Sequence, residues 1–93
     1  MTRAIYKYPI SPGRNILAMP RGAEILSVDK QGGDTENSIR LWALVEPSAP
    51  QVERHVFVIG TGHQVDDPEL GRFVGTVLLY EGEIVAHVFE AKQ

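Results

Sequence analysis

Glycine and proline interrupt this chain so often that no apolar stretch of helix length remains. The 93 residues contain nine glycines and six prolines, and both residue types mark turns or breaks in regular structure. The stretches between them have strand length and are rich in β-branched and aromatic residues. The predicted strands are 3–10, 15–19, 23–30, 38–46, 53–60, 73–80 and 84–91. The chain is therefore predicted to be all-β: one compact domain over residues 1–93, a sandwich or small barrel of about seven short, mainly antiparallel strands.

Hydrophobic alternation adds detail to this prediction. In 38–46, Ile39, Leu41, Ala43 and Val45 share one face, because alternate residues of a strand point the same way, although Trp42 is also expected in the core. The last strand is apolar on both faces, which suits a central strand, or an edge strand covered by a second copy. Gly75 is expected to mark a bulge or a close approach. A flexible loop is predicted at 31–37, and one helical turn at 68–71.

Charge and composition exclude several functions. The formal net charge of −3 argues against binding nucleic acid or a membrane through bulk charge. The absence of cysteine excludes disulfides and thiolate chemistry. No continuous apolar region of a signal peptide or a membrane span is present. We therefore expect a soluble cytoplasmic protein, and we expect oligomerisation to supplement the small core.

The segment Gly60-Thr61-Gly62-His63 follows an apolar strand and is the most suggestive motif. It lacks the third glycine of a dinucleotide fingerprint and the lysine of a phosphate-binding loop. Two interpretations remain: an ordinary turn with a glycine at positive φ, or one wall of a ligand pocket whose backbone amides face an anion. His63 with Asp66 and Asp67 falls short of a metal-ligand set, so no metal is expected.

Basic and aromatic residues could complete such a pocket. Arg54 opens the strand that leads to the glycine turn, and Tyr6, Lys7 and Tyr8 combine two aromatic rings with a cation. If Arg54, Lys7 and His63 converge, they form a pocket for an anionic planar ligand. The alternative is a first strand whose tyrosines face the core and whose Lys7 points outward.

The remaining histidines, His55 and His87, lie within predicted strands. Neither has a nucleophile or an acid beside it in sequence, so packed, hydrogen-bonded histidines are expected rather than catalytic ones. We therefore expect no enzymatic activity, no catalytic residues and no cofactor.

Several segments together resemble a family of small uncharacterised proteins of tailed bacteriophages and prophages. They are IYKYPI at 5–10, GAEILSV at 22–28, LWALVEP at 41–47, FVIGTGH at 57–63, VGT at 74–76 and HVFE at 87–90. The resemblance implies a phage origin and a place in the host cytoplasm, but no activity or catalytic residues. It favours a counter-defence protein that sequesters an anionic, nucleotide-like small molecule without transforming it. The alternatives are an inhibitor that binds a host defence protein, and a virion or assembly component.

Overall fold

The structure, a computed structural model, describes residues 2–31 and 38–92. These residues form seven strands, which confirms the predicted all-β fold. The strands are β1 (Ala4–Ile10), β2 (Gly13–Pro20), β3 (Glu24–Gln31), β4 (Ser38–Val45), β5 (Gln51–Gly60), β6 (Leu70–Leu79) and β7 (Ile84–Ala91). No helix in the described ranges is long and apolar enough to cross a membrane. Except for Gln31, the last residue of β3, the predicted flexible loop at 31–37 lies outside the described residues.

The strands form two antiparallel sheets. The three-stranded sheet has the order β1-β4-β3, and the four-stranded sheet has the order β2-β5-β7-β6. β7 therefore lies between β5 and β6, which is the first of the two arrangements that its apolar faces allow. β1 and β2 are consecutive in sequence but belong to different sheets, and each forms an edge of its sheet.

The core lies between the two sheets. In β4 the predicted alternation is confirmed, because Leu41, Ala43 and Val45 are buried. Trp42 is half-buried on the outer face, opposite Lys7 and Ser27, so its predicted core position is wrong. The alternation that turns Leu41 and Ala43 inward turns Trp42 outward. The buried apolar cluster consists of Ile10, Met19, Ala23, Ile25, Ile39, Leu41, Ala43, Val45, Val56, Val58, Val77, Leu79, Ala86 and Val88.

Bulges interrupt β6, the edge strand that lies against β3. Its register with β7 shifts between Leu70 and Phe73 and again between Phe73 and Gly75. A Cβ atom on Gly75 would lie 2.9 Å from Cγ1 of Val28 in β3. The predicted bulge and close approach at Gly75 are both confirmed.

The predicted helical turn at 68–71 is wrong. The amide of Leu70 donates to the carbonyl of Asp67 at 3.1 Å, which closes a tight turn, and Leu70 already pairs with Ala91 as the first residue of β6. Strand pairing immediately after the turn leaves no length for a helix.

The hairpin between β6 and β7 turns through two non-glycine residues at positive φ. Tyr80 has φ 52° and Glu81 has φ 57°, a region that costs most side chains energy and that asparagine tolerates. We expect Glu81→Asn to raise the free energy of unfolding by about 1 kcal/mol, measured by urea denaturation. Glu83→Asn is the matched control, because the φ of Glu83 lies outside this region. An equal gain in both variants would contradict the backbone explanation.

Candidate binding cavity

The motif at 60–63 forms a hydrogen-bonded turn at the end of β5. The amide of His63 donates to the carbonyl of Gly60 at 3.1 Å, and the amide of Thr61 donates to the carbonyl of Val85 at 3.2 Å. Gly62 has φ 88°, a conformation that glycine adopts without strain. The interpretation of this segment as a turn with a positive-φ glycine is confirmed.

The turn folds the imidazole of His63 over Gly60. A Cβ atom on Gly60 would lie 3.3 Å from Cε1 of His63, so the absence of a side chain at Gly60 leaves room for the ring. His63 thereby covers the end of β5, where a cavity opens.

This cavity of about 580 Å³ lies where β2 begins and β5 extends past it. Gly13 pairs with Val58, so Ile59 and Gly60 project beyond the end of β2. We call residues 61–69, which connect β5 to β6, the cover segment, because they form one side of the cavity. The volume is within the usual range for small-molecule sites. The lining residues are Pro12, Gly13, Arg14, Phe57, Val58, Ile59, Gly60, His63, Gln64, Val65, Asp66, Asp67, Leu79, Ile84 and Ala86.

Arg14 fastens the cover segment to the sheet. Its Nη1 lies 3.1 Å from Oδ2 of Asp67, and its Nη2 lies 3.0 Å from Oε2 of Glu69. Its Nε donates to Nδ1 of His55 at 2.9 Å, and its guanidinium carbon lies 5.1 Å from the centre of the Phe57 ring. Because arginine only donates, Nδ1 of His55 must be the unprotonated ring nitrogen. Arg14 thus bonds one histidine and two carboxylates.

The cover segment and Arg14 also explain why Phe57 is buried. Arg14 and Phe57 are directly opposite in the ladder of β2 and β5, so both project from the outer face of the four-stranded sheet. A phenylalanine on an outer face would ordinarily be exposed, yet Phe57 is buried. Its ring belongs to the wall of the cavity.

Arg54 lies in a different place from the turn. It points between the sheets and is buried, with its Nη1 donating to the carbonyl of Ala23 at 2.8 Å. Its Nη2 is 3.6 Å from Oε2 of Glu90. Arg54 does not line the cavity beside Gly60 and His63, so this part of the expected convergence is not found. The cause is the alternation of β5, which places Arg54 on the same face as buried Val56 and Val58.

The first strand lies in the other sheet. The Nζ of Lys7 donates to Oε1 of Gln31 at 2.8 Å, and Lys7 projects from the outer face beside Trp42. Tyr8 packs against the core, and burial together with the neighbouring Tyr6 raises the pKa of its phenol. Tyr6 is on the same face of β1 as Tyr8 but is 40% exposed. None of these three residues lines the cavity. The tyrosines lie on the inner face of β1 and Lys7 on its outer face, so the structural alternative to a ligand-binding strand is the one observed.

His87 makes hydrogen bonds through both ring nitrogens, as expected for a packed histidine. Its Nε2 is 2.7 Å from Oγ1 of Thr61, and its Nδ1 is 3.1 Å from Oγ1 of Thr76. A hydroxyl next to an imidazole suggests a nucleophile and a base, but the third group here is a hydroxyl instead of a carboxylate. The arrangement links three neighbouring chain segments. Within the ranges 2–31 and 38–92, no three histidine, aspartate or glutamate side chains form a group that could hold a metal ion.

Of the four residues of the motif that were expected to bind a ligand, Gly60 and His63 line the cavity, whereas Thr61 and Gly62 do not. The lining residues Arg14, Phe57 and Asp67 were not predicted from the sequence as ligand-binding residues. The signal for Arg14 would have been its place in β2 opposite Phe57, and that requires the strand register. From the sequence alone, Asp67 suggests only a metal ligand, whereas in the structure it pairs with Arg14.

Comparison with curated proteins and with solved structures finds no match. A family model described as a domain of unknown function (DUF7352) matches residues 1–93. Since the match spans the whole chain, the protein belongs to this family of domains of unknown function.

Proposed function

We propose that this domain binds a small molecule in the cavity beneath the cover segment and does not transform it. The observation that carries the proposal is the cavity itself: about 580 Å³, with apolar lining residues from β5, β6 and β7 and with polar side chains from β2 and the cover segment. Binding sites for small molecules have this character, with a few polar groups that orient an otherwise apolar ligand.

The lining residues favour a ligand with a planar apolar part and uncharged polar groups at its edge. Phe57, Val58 and Ile59 supply apolar surface from β5, while Gln64 and Asp66 supply polar atoms from the cover segment. The cation of the cavity, Arg14, is already paired with two carboxylates. Because Arg14 is already neutralised by these carboxylates, the lining is better suited to bind the uncharged part of a ligand than its anionic part.

A nucleobase has this combination of flat faces and polar edges. The proposed ligand is therefore nucleotide-like, with the base in the cavity and any phosphate towards solvent. The proposed biological role, counter-defence, is supported separately by the resemblance to phage proteins. In that role the domain sequesters a host signalling molecule in the host cytoplasm as a counter-defence.

A thermal-shift and calorimetry series tests this function. The ligands are adenosine, guanosine, their 5′-monophosphates and cyclic phosphates, and ADP-ribose. A ligand at 100 times its Kd should stabilise the fold by about 2.7 kcal/mol. The nucleoside should bind within about threefold of its monophosphate, because a solvent-exposed phosphate is screened. Absence of stabilisation by every compound would overturn the proposal.

A cavity-filling variant locates the binding. Val65 is 41% exposed on the cover segment and lines the cavity, so we expect Val65→Trp to occupy the space, preserve the fold and weaken ligand binding at least tenfold. Ile5→Trp is the matched control, since Ile5 is 60% exposed on β1 of the other sheet. Equal binding by Val65→Trp and the wild type would place the ligand elsewhere.

A separate structural feature supports the alternative function, an inhibitor that binds a host protein. Ile16, Phe73 and Leu78 are exposed, at 61%, 49% and 55%, and their ladder positions place them on the outer face of the four-stranded sheet. An apolar sheet face is a surface that a partner protein can cover. Failure of the ligand series would favour this alternative.

A further inference from the structure

The strand β2 is a regular edge of the four-stranded sheet. It pairs with β5 through eight consecutive residue pairs, from Gly13 with Val58 to Pro20 with Gln51, without a register shift. Within the described part of the chain, no strand pairs with its other side. Such an edge presents backbone donors and acceptors that another strand can use.

The other three edge strands carry features that oppose pairing. β1 contains Lys7 and Pro9, and β6 has two register shifts. β3 has a register shift near Ile25 and carries Asp29 and Lys30. Charges, prolines and bulges are the usual means by which proteins prevent edge-to-edge association.

β2 lacks these features. Its proline is its last residue, and its one charged side chain, Arg14, is engaged by His55, Asp67 and Glu69. The side chain in the middle of the strand, Ile16, is 61% exposed. β2 therefore combines a regular backbone with an exposed apolar side chain at its centre.

We propose that β2 pairs antiparallel with β2 of a second copy of this chain, about a two-fold axis at Ile16. The two Ile16 side chains then face each other, and Arg14 of each copy lies opposite Ala18 of the other. This register brings no like charges together and buries the exposed isoleucines as a cross-strand pair. A second copy fits because a strand that pairs with itself makes a closed, symmetric contact.

The resulting dimer has one continuous sheet of eight strands. In this register Met19 of the second copy lies opposite Gly13, a residue that lines the cavity. The inference stands independently of the proposed ligand, because it depends on the edge and the exposed isoleucine alone.

Sedimentation velocity over a concentration series tests the interface. The wild type should form dimers, and Ile16→Lys should remain monomeric, because it places two cations opposite each other. Ile5→Lys is the matched control, since Ile5 is equally exposed, at 60%, on the edge strand β1, and this variant should form dimers like the wild type. A wild type that stays monomeric throughout, or an Ile16→Lys variant that dimerises normally, would overturn the proposal.

A cross-linking experiment tests the register. The chain contains no cysteine, so Ile16→Cys introduces a single thiol. Directly opposite residues of an antiparallel pair have Cα atoms about 4.5–5.5 Å apart, within disulfide range. Mild oxidation should convert the Ile16→Cys protein to a covalent dimer, whereas Ile5→Cys should stay uncoupled. A dimeric Ile16→Cys protein that does not cross-link would refute this pairing.

Discussion

Replacement of Arg54 by alanine should lower the free energy of unfolding by about 3 kcal/mol, at the upper end of the cost of leaving a buried hydrogen-bond acceptor unsatisfied. Arg54 donates from Nη1 to the carbonyl of Ala23, which is itself buried, at 2.8 Å. Without the guanidinium this carbonyl loses its donor, and an unsatisfied buried acceptor is costly. Urea denaturation measures the loss.

Arg54 acts within a group that joins the two sheets. Glu90 on β7 lies between Arg54 and Arg72, at 3.6 Å from Nη2 of Arg54 and 3.0 Å from Nε of Arg72. Arg72 in turn donates to the carbonyl of Ile25 in β3 at 3.0 Å. Arg54 and Arg72 of the four-stranded sheet thus both bind backbone carbonyls at or beside β3, and the glutamate holds the two cations together.

Controls separate this role from general loss of charge. Arg21 is exposed, so Arg21→Ala should change the free energy of unfolding by less than about 0.5 kcal/mol. Glu90→Gln retains the shape of the side chain but removes its charge, so its effect should be intermediate. Arg54→Ala leaves the buried carbonyl of Ala23 without its donor, which should cost at least about 1 kcal/mol. A smaller loss would contradict the inter-sheet role. Ligand binding by Arg54→Ala can be interpreted only after its fold has been checked.

The strands were predictable because turn residues and alternation are local signals. Leu41, Ala43 and Val45 showed the buried face of β4, whereas the two apolar faces of β7 were compatible with a central strand and with a covered edge strand. The assignment of β1 and β2 to different sheets was not predictable. That arrangement arises from pairings between residues far apart in sequence, and one sequence does not encode them as a local pattern.

The candidate site was predictable only in part. Gly60 and His63 belong to a local motif. Arg14 belongs to the site because the register of β2 and β5 places it opposite Phe57 and because the cover segment places two carboxylates beside it. Arg54 was assigned to ligand binding although a local signal pointed inward: it shares its face with Val56 and Val58. An arginine that continues an apolar face is better explained by a buried partner.

Replacement of Gly71 by alanine should destabilise the protein by about 3 kcal/mol, at the upper end of the cost of overpacking. An added Cβ atom would lie 2.6 Å from the carbonyl oxygen of Glu90, 2.8 Å from the amide nitrogen of Lys92 and 2.9 Å from the carbonyl carbon of Ala91. All three atoms belong to backbone, which cannot move aside as a flexible side chain can. Gly71 lies in the bulge where Leu70 pairs with Ala91 and Phe73 with Phe89, so the strain acts on the ladder of β6 and β7.

Gly60→Ala is the matched control for this substitution. The atoms nearest to its Cβ atom would belong to the His63 ring, the first at 3.3 Å, and that side chain is exposed and can rotate. We therefore expect a loss below about 1 kcal/mol in Gly60→Ala, with the two variants compared by urea denaturation. Equal losses in both would show that the cost comes from the general removal of glycine from a strand. A larger loss in Gly71→Ala, with faster amide exchange along β6 and β7, would show that this ladder requires backbone contact at Gly71.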